Sequence, residues 1–428
     1  MLSLREPRNG RLVTITGPVR SGKTTHLEQL LNSASVIWDK GPNSNILLAK
    51  HPNDDVKSPG KVAGYDALET SSPDEIASHV TPNTEAVIIS GINFYEDKSI
   101  VNLLQDLVLR NRRVYVAGHA LDWNANPFPN MPAIMALSDD FIITKAPCMI
   151  DSCQLQATRS QKLEGESMRL CIKHHAFEGR PDHKHYLIDQ IGGLEAFVGS
   201  MYASKTTVWR QKMKELSANR IDYEVFKWIK DKRYSERNKQ YGLYDTGFIG
   251  FNNSDEKIPA VYIKTAEDMV RFIDGNTGIR EIDERSAKRR LGHIFIDEGQ
   301  FIEGIADVVR ARVYQGYKFY ITGLLRTAKM EPFGEIPKLL VLADSIDVMH
   351  GYCERCGREA SESQKFTKMG DEWVPSDYYE DPIKPGGKED DDEVVDRYEA
   401  RCRHCIEIPN RPEPKYRFER YYPTVSLR

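Results

Sequence analysis

Short apolar runs recur along the chain, separated by longer stretches in which apolar and polar positions mix. Leu12–Thr16, Val36–Trp38, Ala86–Ile89 and Val114–Ala117 lie in the first part, and Tyr223–Ile229, His293–Ile296 and Lys318–Thr322 in the later part. Residues apolar at consecutive positions suit strands covered on both faces. Amphipathic stretches between such strands predict helices, and strict alternation of the two predicts an α/β fold built on parallel sheets. The pattern occurs twice. It divides the chain near Asp189 into residues 1–189 and 190–428, each closing in a cysteine-bearing appendage, 148–175 and 353–405.

The first apolar run ends in GPVRSGKT at Gly17–Thr24, a complete G-x-x-x-x-G-K-[ST] phosphate loop, and the residues from Thr24 to Leu31 suit the helix that must follow. Such a loop binds nucleotide through backbone N–H groups, its lysine reaches the outer phosphates, and its hydroxyl helps hold magnesium. Gly17, Ser21, Gly22, Lys23, Thr24 and Thr25 are therefore nucleotide-binding candidates. The later segment GLEAFVGSMYASKTT, Gly193–Thr207, repeats the pattern with Gly199, Ser204, Lys205, Thr206 and Thr207, but a serine stands where the second glycine belongs. A side chain at Ser204 predicts crowding of the phosphates or a less suitable backbone angle. The features after each loop recur in one order: Pro127-Phe128 and Pro332-Phe333, then Cys148 and Cys353. The spacing between counterparts grows after the lysines, which predicts an insertion of roughly two dozen residues in the second half before its next strand.

Phosphoryl transfer also needs a carboxylate at a neighbouring strand end to anchor the metal, and a group to orient or deprotonate the attacking hydroxyl. The second half supplies both in HIFIDEGQF, where an apolar strand delivers Asp297 and Glu298 to its C-terminal edge. The first half reads VIISGINF at that place and lacks both acids, which predicts a site competent to bind but without an obvious base.

The cysteines form a second constellation. Cys353 with Cys356, and Cys402 with Cys405, are two C-x-x-C pairs across a long excursion, the spacing of a closed structural zinc site. In the first half the corresponding donors are Cys148, Cys153, Cys171 and a histidine, either His174 or His175, with spacing favouring His174.

Composition narrows the function classes. A chain of 428 residues suggests two or three domains, and 40% hydrophobic with 29% charged residues is ordinary for a globular protein. The formal net charge of -4 and the lack of a basic stripe do not indicate a nucleic-acid binder. No stretch has the apolar length of a membrane span, and Met1–Arg11 lacks the apolar core of a signal peptide, so a cytoplasmic protein is expected, with its seven cysteines reduced and available to metal. The acidic run Glu389–Glu393 reads as a solvated loop.

Taken in order, the phosphate loop, I-D-E-x-Q-F at Ile296–Phe301, P-F-G at Pro332–Gly334, C-x-x-C-G-R-E-A at Cys353–Ala360, Gly386-Gly387 and Y-x-A-R-C-R-x-C at Tyr398–Cys405 resemble the zinc-containing type II thymidine kinases. The second half follows that pattern nearly throughout. The first half matches at its phosphate loop, at Asn126–Phe128, and at Cys148 followed by Gln156–Gln161. The resemblance implies two tandem P-loop NTPase-like domains with small zinc-binding lasso appendages, and ATP-dependent phosphorylation of the 5'-hydroxyl of a thymidine-like deoxynucleoside. It implies Glu298 as general base, Asp297 with Thr206 on magnesium, and Lys205 on the ATP phosphates. Asp231, Arg233, Gln300, Phe301, Gly386, Gly387 and the ring of Tyr398 are implied on the substrate side, and ATP, Mg2+ and Zn2+ as cofactors. Family members self-associate, and two fused copies imply a pseudo-dimer within the chain or a dimer of chains. Two departures stand out in the second half: Leu325-Arg326 replaces the usual Asp-Gly, and Thr327-Ala328 replaces an aromatic position that the first half keeps as Asp122-Trp123. The alternative is a catalytically inactive relative that binds nucleotide or serves a structural or assembly role.

Overall fold

The computed structural model describes residues 10–35, 45–54, 60–163, 165–176, 191–229, 240–241, 244–251, 254–278, 292–381 and 397–421. The expected strand Val36–Trp38, the division near Asp189, Asp231, Arg233, Gly386, Gly387 and the acidic run Glu389–Glu393 lie outside these residues. The chain forms two compact units, Met1–Glu178 with Pro412–Arg428, and Gly179–Arg411.

The first unit carries β1 (Arg11–Thr16), β2 (Ile46–Lys50), β3 (Leu68–Glu69), β4 (Ala86–Ser90), β5 (Arg113–Gly118) and β6 (Asp140–Ile143) in one parallel sheet of order β3-β2-β4-β5-β1-β6. Val13 and Ile15 pack with Leu27 and Leu31 of the helix Lys23–Ser35. Alternate strand residues face opposite sides, so Leu12 and Thr14 face the other layer, and both are buried. The consecutive apolar pattern of β1 thus reflects a sheet covered on both faces. The helix Ser99–Leu109 buries Ile100, Leu103, Leu104 and Leu107, one stripe at helical spacing, and packs on β1 and β5.

The second unit repeats this arrangement with β7 (Gly193–Gly199), β8 (Tyr223–Trp228), β9 (Gln240–Tyr241), β10 (Tyr244–Phe251), β11 (Ser254–Ile263), β12 (His293–Asp297), β13 (Lys318–Leu324) and β14 (Ser345–Met349), ordered β9-β10-β11-β8-β12-β13-β7-β14. The run β8-β12-β13-β7-β14 is all parallel and matches β2-β4-β5-β1-β6. Trp209 anchors its core: it is fully buried, meets the Phe295 ring edge-on at 5.3 Å, and donates from Nε1 to Tyr320 O at 3.2 Å.

The added length of the second unit falls elsewhere than the spacing predicted. Its strand after the phosphate loop, β8, is in step with β2, because Lys50 pairs with Ser90 as Lys227 pairs with Asp297. The extra residues form β9, β10 and β11 beyond β8, where β10 runs antiparallel to both its neighbours and β11 runs parallel to β8, so that edge of the sheet is mixed.

Each unit ends in a small β-appendage. In the first it is built from the antiparallel pairs Ala146–Pro147 with Gln156–Ala157 and Arg159–Leu163 with Glu166–Leu170. In the second it comprises Gly351–Tyr352 with Glu359–Ala360, and a sheet in which Glu362–Met369 lies between Glu372–Pro375 and Arg397–Arg401. Arg326, one of the unusual residues before the P-F-G turn, ties the second appendage down. Its guanidinium grips the fully buried Glu362 in a fork, Nε to Oε2 at 2.9 Å and Nη2 to Oε1 at 3.0 Å, and Arg403 adds a contact at 3.1 Å. The departure from the usual Asp-Gly is therefore part of a buried ionic cluster.

The end of the chain returns to the first unit. Tyr416 donates its N–H to the buried Asp106 carboxylate at 3.0 Å and its hydroxyl to Asp74 at 2.6 Å, while Arg112 donates to Glu419 O at 2.6 Å and lies over the Phe418 ring.

Removing one partner of a buried ion cluster strands the others, so Glu362→Ala lowers unfolding stability by about 3–5 kcal/mol. Arg355→Ala, which breaks the exposed Arg355–Glu407 pair, leaves the urea unfolding midpoint unchanged. Equal losses in the two variants would contradict this ranking.

Candidate functional site

The two phosphate loops share one backbone path. Gly17 and Gly199 have φ of 151° and 152°, Arg20 and Tyr202 have φ of 53° and 61°, and Gly22 and Ser204 have φ of 95° and 58°. Gly17 and Gly199 are required by contact as well. A Cβ at Gly17 would lie 2.2 Å from Thr144 Oγ1, and one at Gly199 would lie 2.0 Å from Met349 O. Ser204 keeps the loop conformation at the cost of a left-handed backbone, about 1–2 kcal/mol for an L-residue, and its side chain is exposed. Both lysines fold back onto loop carbonyls. Lys23 Nζ donates to Gly17 O at 3.1 Å and Pro18 O at 2.8 Å, and Lys205 Nζ donates to Ser200 O at 2.7 Å. Thr24 and Thr25, like Thr206 and Thr207, sit in the first turn of the helix that each loop opens.

In the second unit the carboxylates arrive at the same sheet margin. β12 ends at Asp297, one strand removed from β7 and its loop, with β13 between them. Thr322 of β13 bridges to both acids: its Oγ1 donates to the buried Asp297 at 2.7 Å and accepts the Glu298 N–H at 3.3 Å. Glu298 itself has φ 54° and ψ 50°, the left-handed region. Its carboxylate accepts from Gln300 Nε2 at 2.5 Å, and Gln300 Oε1 accepts the Leu324 N–H at 3.3 Å. Gln300 is buried and so holds the acid from behind. Phe301 stacks on Trp228 at 4.4 Å and meets Phe333 of the P-F-G turn edge-on at 5.3 Å. Tyr398 is half-buried in the appendage, opposite Lys365.

The first unit places different groups on the same frame. Gly91 holds the left-handed position, φ 72°, where the second unit has Glu298. Asn93 takes the place of Gln300, and its Oδ1 accepts the His119 N–H at 3.0 Å. His119, in step with Leu324 of the second unit, lies with Nδ1 3.1 Å from Gly17 O and 3.4 Å from Lys23 Nζ. Burial, with the charge of Lys23 beside it, pushes His119 down to about 3. Burial likewise lowers Lys23 to about 7, a shift partly opposed by the Asp54 carboxylate. Asp54, on the segment after β2, accepts from Ser90 Oγ at 2.6 Å. Neither Asp54 nor His119 was singled out from the sequence. Asp54 follows Lys50 by the interval that separates Asp231 from Lys227, a signal that becomes visible only once β2 is placed at Ile46–Lys50.

Both cysteine sets converge. In Cys148, Cys153, Cys171 and His174, and again in Cys353, Cys356, Cys402 and Cys405, one ligand atom from each residue lies within 4.8 Å of the others. The sulfurs of Cys153 and Cys171 are 3.9 Å apart, and those of Cys356 and Cys402 are 3.6 Å apart. Tetrahedral zinc with bonds of about 2.3 Å sets its thiolates about 3.8 Å apart, so the donors fit that ion. His174 Nδ1 lies 3.4 Å from Cys148 Sγ and 3.3 Å from Cys171 Sγ. His175 turns away, its Nε2 2.9 Å from Trp123 O and 3.1 Å from Ser160 O, which decides between the two histidines. Zinc bound by four protein donors in this way is structural rather than catalytic.

A sequence-family model described as thymidine kinase matches residues 10–178 and 250–406. The chain belongs to the thymidine kinase family. Two separate matched segments agree with the repeated fold and identify a tandem pair of thymidine kinase units, and the family assigns the chain to nucleoside phosphorylation in general. The second matched segment begins after the loop Gly199–Thr207, so the kinship of that loop rests on its backbone path. Among the described residues no helix is long and apolar enough to cross a membrane.

Two outcomes follow from this geometry. Ser204→Gly relieves the backbone strain and raises the unfolding midpoint, by up to about 1–2 kcal/mol in stability; a lower midpoint would contradict the strain. Mercurial titration of the thiols releases two zinc ions per chain, and chelation lowers the unfolding midpoint; release of one ion would assign metal to only one cluster.

Proposed function

We propose that the second unit transfers the γ-phosphoryl group of ATP to the 5'-hydroxyl of a thymidine-like deoxynucleoside, with Glu298 as general base. The observation that carries this reading is the backbone of Glu298. An acid stands at φ 54° where the first unit uses glycine, and holding it there costs about 1–2 kcal/mol. The hydrogen bond from Gln300 then orients its carboxylate. Strain kept at one residue whose side chain is positioned by a buried partner is characteristic of a functional group.

In this reading the N–H groups of the loop Gly199–Lys205 and the Lys205 ammonium receive the phosphates of ATP, which requires Lys205 to exchange its contact with Ser200 O for phosphate oxygen. Asp297 and the Thr206 hydroxyl are oxygen donors suited to magnesium, which would neutralise charge on the transferred group. Glu298 takes the proton of the 5'-hydroxyl as its oxygen forms a bond to the γ-phosphorus. The bond from that phosphorus to the bridging oxygen breaks and ADP leaves with the electron pair. Thr322 keeps Asp297 and the Glu298 backbone in register through this step. Asp231, Arg233, Gly386, Gly387 and Tyr398 complete the substrate side in this proposal, and Phe301 supports it by fixing Trp228 and the P-F-G turn.

Glu298→Gln lowers kcat by about 10²–10⁴-fold with the KM for ATP little changed, measured by coupled ADP release. Glu298→Gly loses as much activity but unfolds at a higher temperature, because glycine adopts this backbone freely. Wild-type turnover in Glu298→Gln would exclude the proposed base.

A further inference from the structure

The first unit keeps a complete phosphate loop, yet its strand β4 ends in Ser90 and Gly91, without the acids that end β12. Asp54 fills that gap from another element. Ser90 Oγ donates to Asp54 Oδ2 at 2.6 Å, so the carboxylate stands at the end of β4. Gly91 makes room for it: a Cβ at Gly91 would lie 2.4 Å from Asp54 Cβ and 3.2 Å from His51 Cβ. A side chain at position 91 would therefore crowd Asp54 in the first unit.

We propose that the first unit binds a magnesium–nucleoside triphosphate, with Asp54 supplying on the metal side the carboxylate that Asp297 supplies in the second unit. Two further observations point to an anionic ligand. The amide nitrogen of Asn93, a residue 4% exposed, has no hydrogen-bond acceptor among the described residues, although its Oδ1 is fixed by the His119 N–H. In the second unit the corresponding amide donates to Glu298. A buried donor without an acceptor is costly, and a phosphate oxygen supplies one. The half-buried Lys23 ammonium donates to the carbonyls of Gly17 and Pro18 and lies 3.4 Å from His119 Nδ1, with Asp54 the carboxylate that favours its charge, an arrangement that a polyanion stabilises. Gly91 leaves no counterpart of Glu298, so the ligand is held without transfer. This binding is independent of turnover in the second unit.

Calorimetry on the full chain with Lys205→Ala, which silences the second loop, tests the site with a non-hydrolysable ATP analogue. One site per chain remains in the presence of magnesium. Adding the isosteric Asp54→Asn weakens binding by about tenfold or more with magnesium present and leaves binding in EDTA unchanged. Adding Ser90→Asp to that variant restores the effect of magnesium. No binding in Lys205→Ala, or equal weakening by Asp54→Asn with and without magnesium, would overturn the proposal.

Discussion

A glutamate held in the left-handed backbone region at the end of β12 is the constraint around which the second unit is organised. The turn that follows the strand needs φ near +60°, and glycine meets that need in the first unit. In the second unit the carboxylate is retained against the backbone preference and is steadied by Gln300, which is buried and fixed to Leu324 N–H. The parallel sheet does the rest. With β13 between β12 and β7, the C-terminal ends of three adjacent strands bring the acids, Thr322 and the phosphate loop to one margin. The tandem copies then differ in content rather than in frame. The loop backbones take positive φ at the same three positions, yet the first unit exchanges strand-end acids for Asp54 and adds His119 beside Lys23.

The departures from the family pattern have local physical reasons. Arg326 belongs with Glu362 and Arg403 in a buried cluster between the P-F-G turn and the appendage. Ser204 takes the left-handed backbone of the glycine position with its side chain exposed, so the loop keeps its shape at an energetic cost. The appendages rely on their cysteine sets, with Ala360 and Ala400 the small residues packed around the second set. Leu155, Met168 and Leu170 pack with the first set, whereas alanines pack with the second, so the second knuckle depends more on metal than on a hydrophobic core.

Much of the frame was legible in the sequence because each signal was local. Consecutive apolar residues marked β1, β4, β5, β8, β12 and β13, the G-x-x-x-x-G-K-[ST] spacing marked the loop that opens the helix Lys23–Ser35, and the cysteine spacing announced both donor clusters. What was hidden depended on non-local pairing. Ile46–Lys50 is a strand only partly buried along its length, so its pattern is weaker than that of β1. The hairpin of β10 and β11 carries Gly247, Gly250 and Pro259, which obscure strand periodicity and misplaced the insertion. Asp54 became visible only when the register of β2 against β4 set it beside Ser90. The choice of His174 over His175 likewise depended on which ring reaches the sulfurs and which reaches backbone carbonyls.

The central claim is that chemistry resides in the second unit, and the most direct measurement is transfer of label from γ-labelled ATP to thymidine by full-length chains altered at one loop lysine at a time. The account predicts that Lys205→Ala abolishes labelled thymidine monophosphate while Lys23→Ala still forms it. Loss of product in Lys23→Ala with product retained in Lys205→Ala would contradict it.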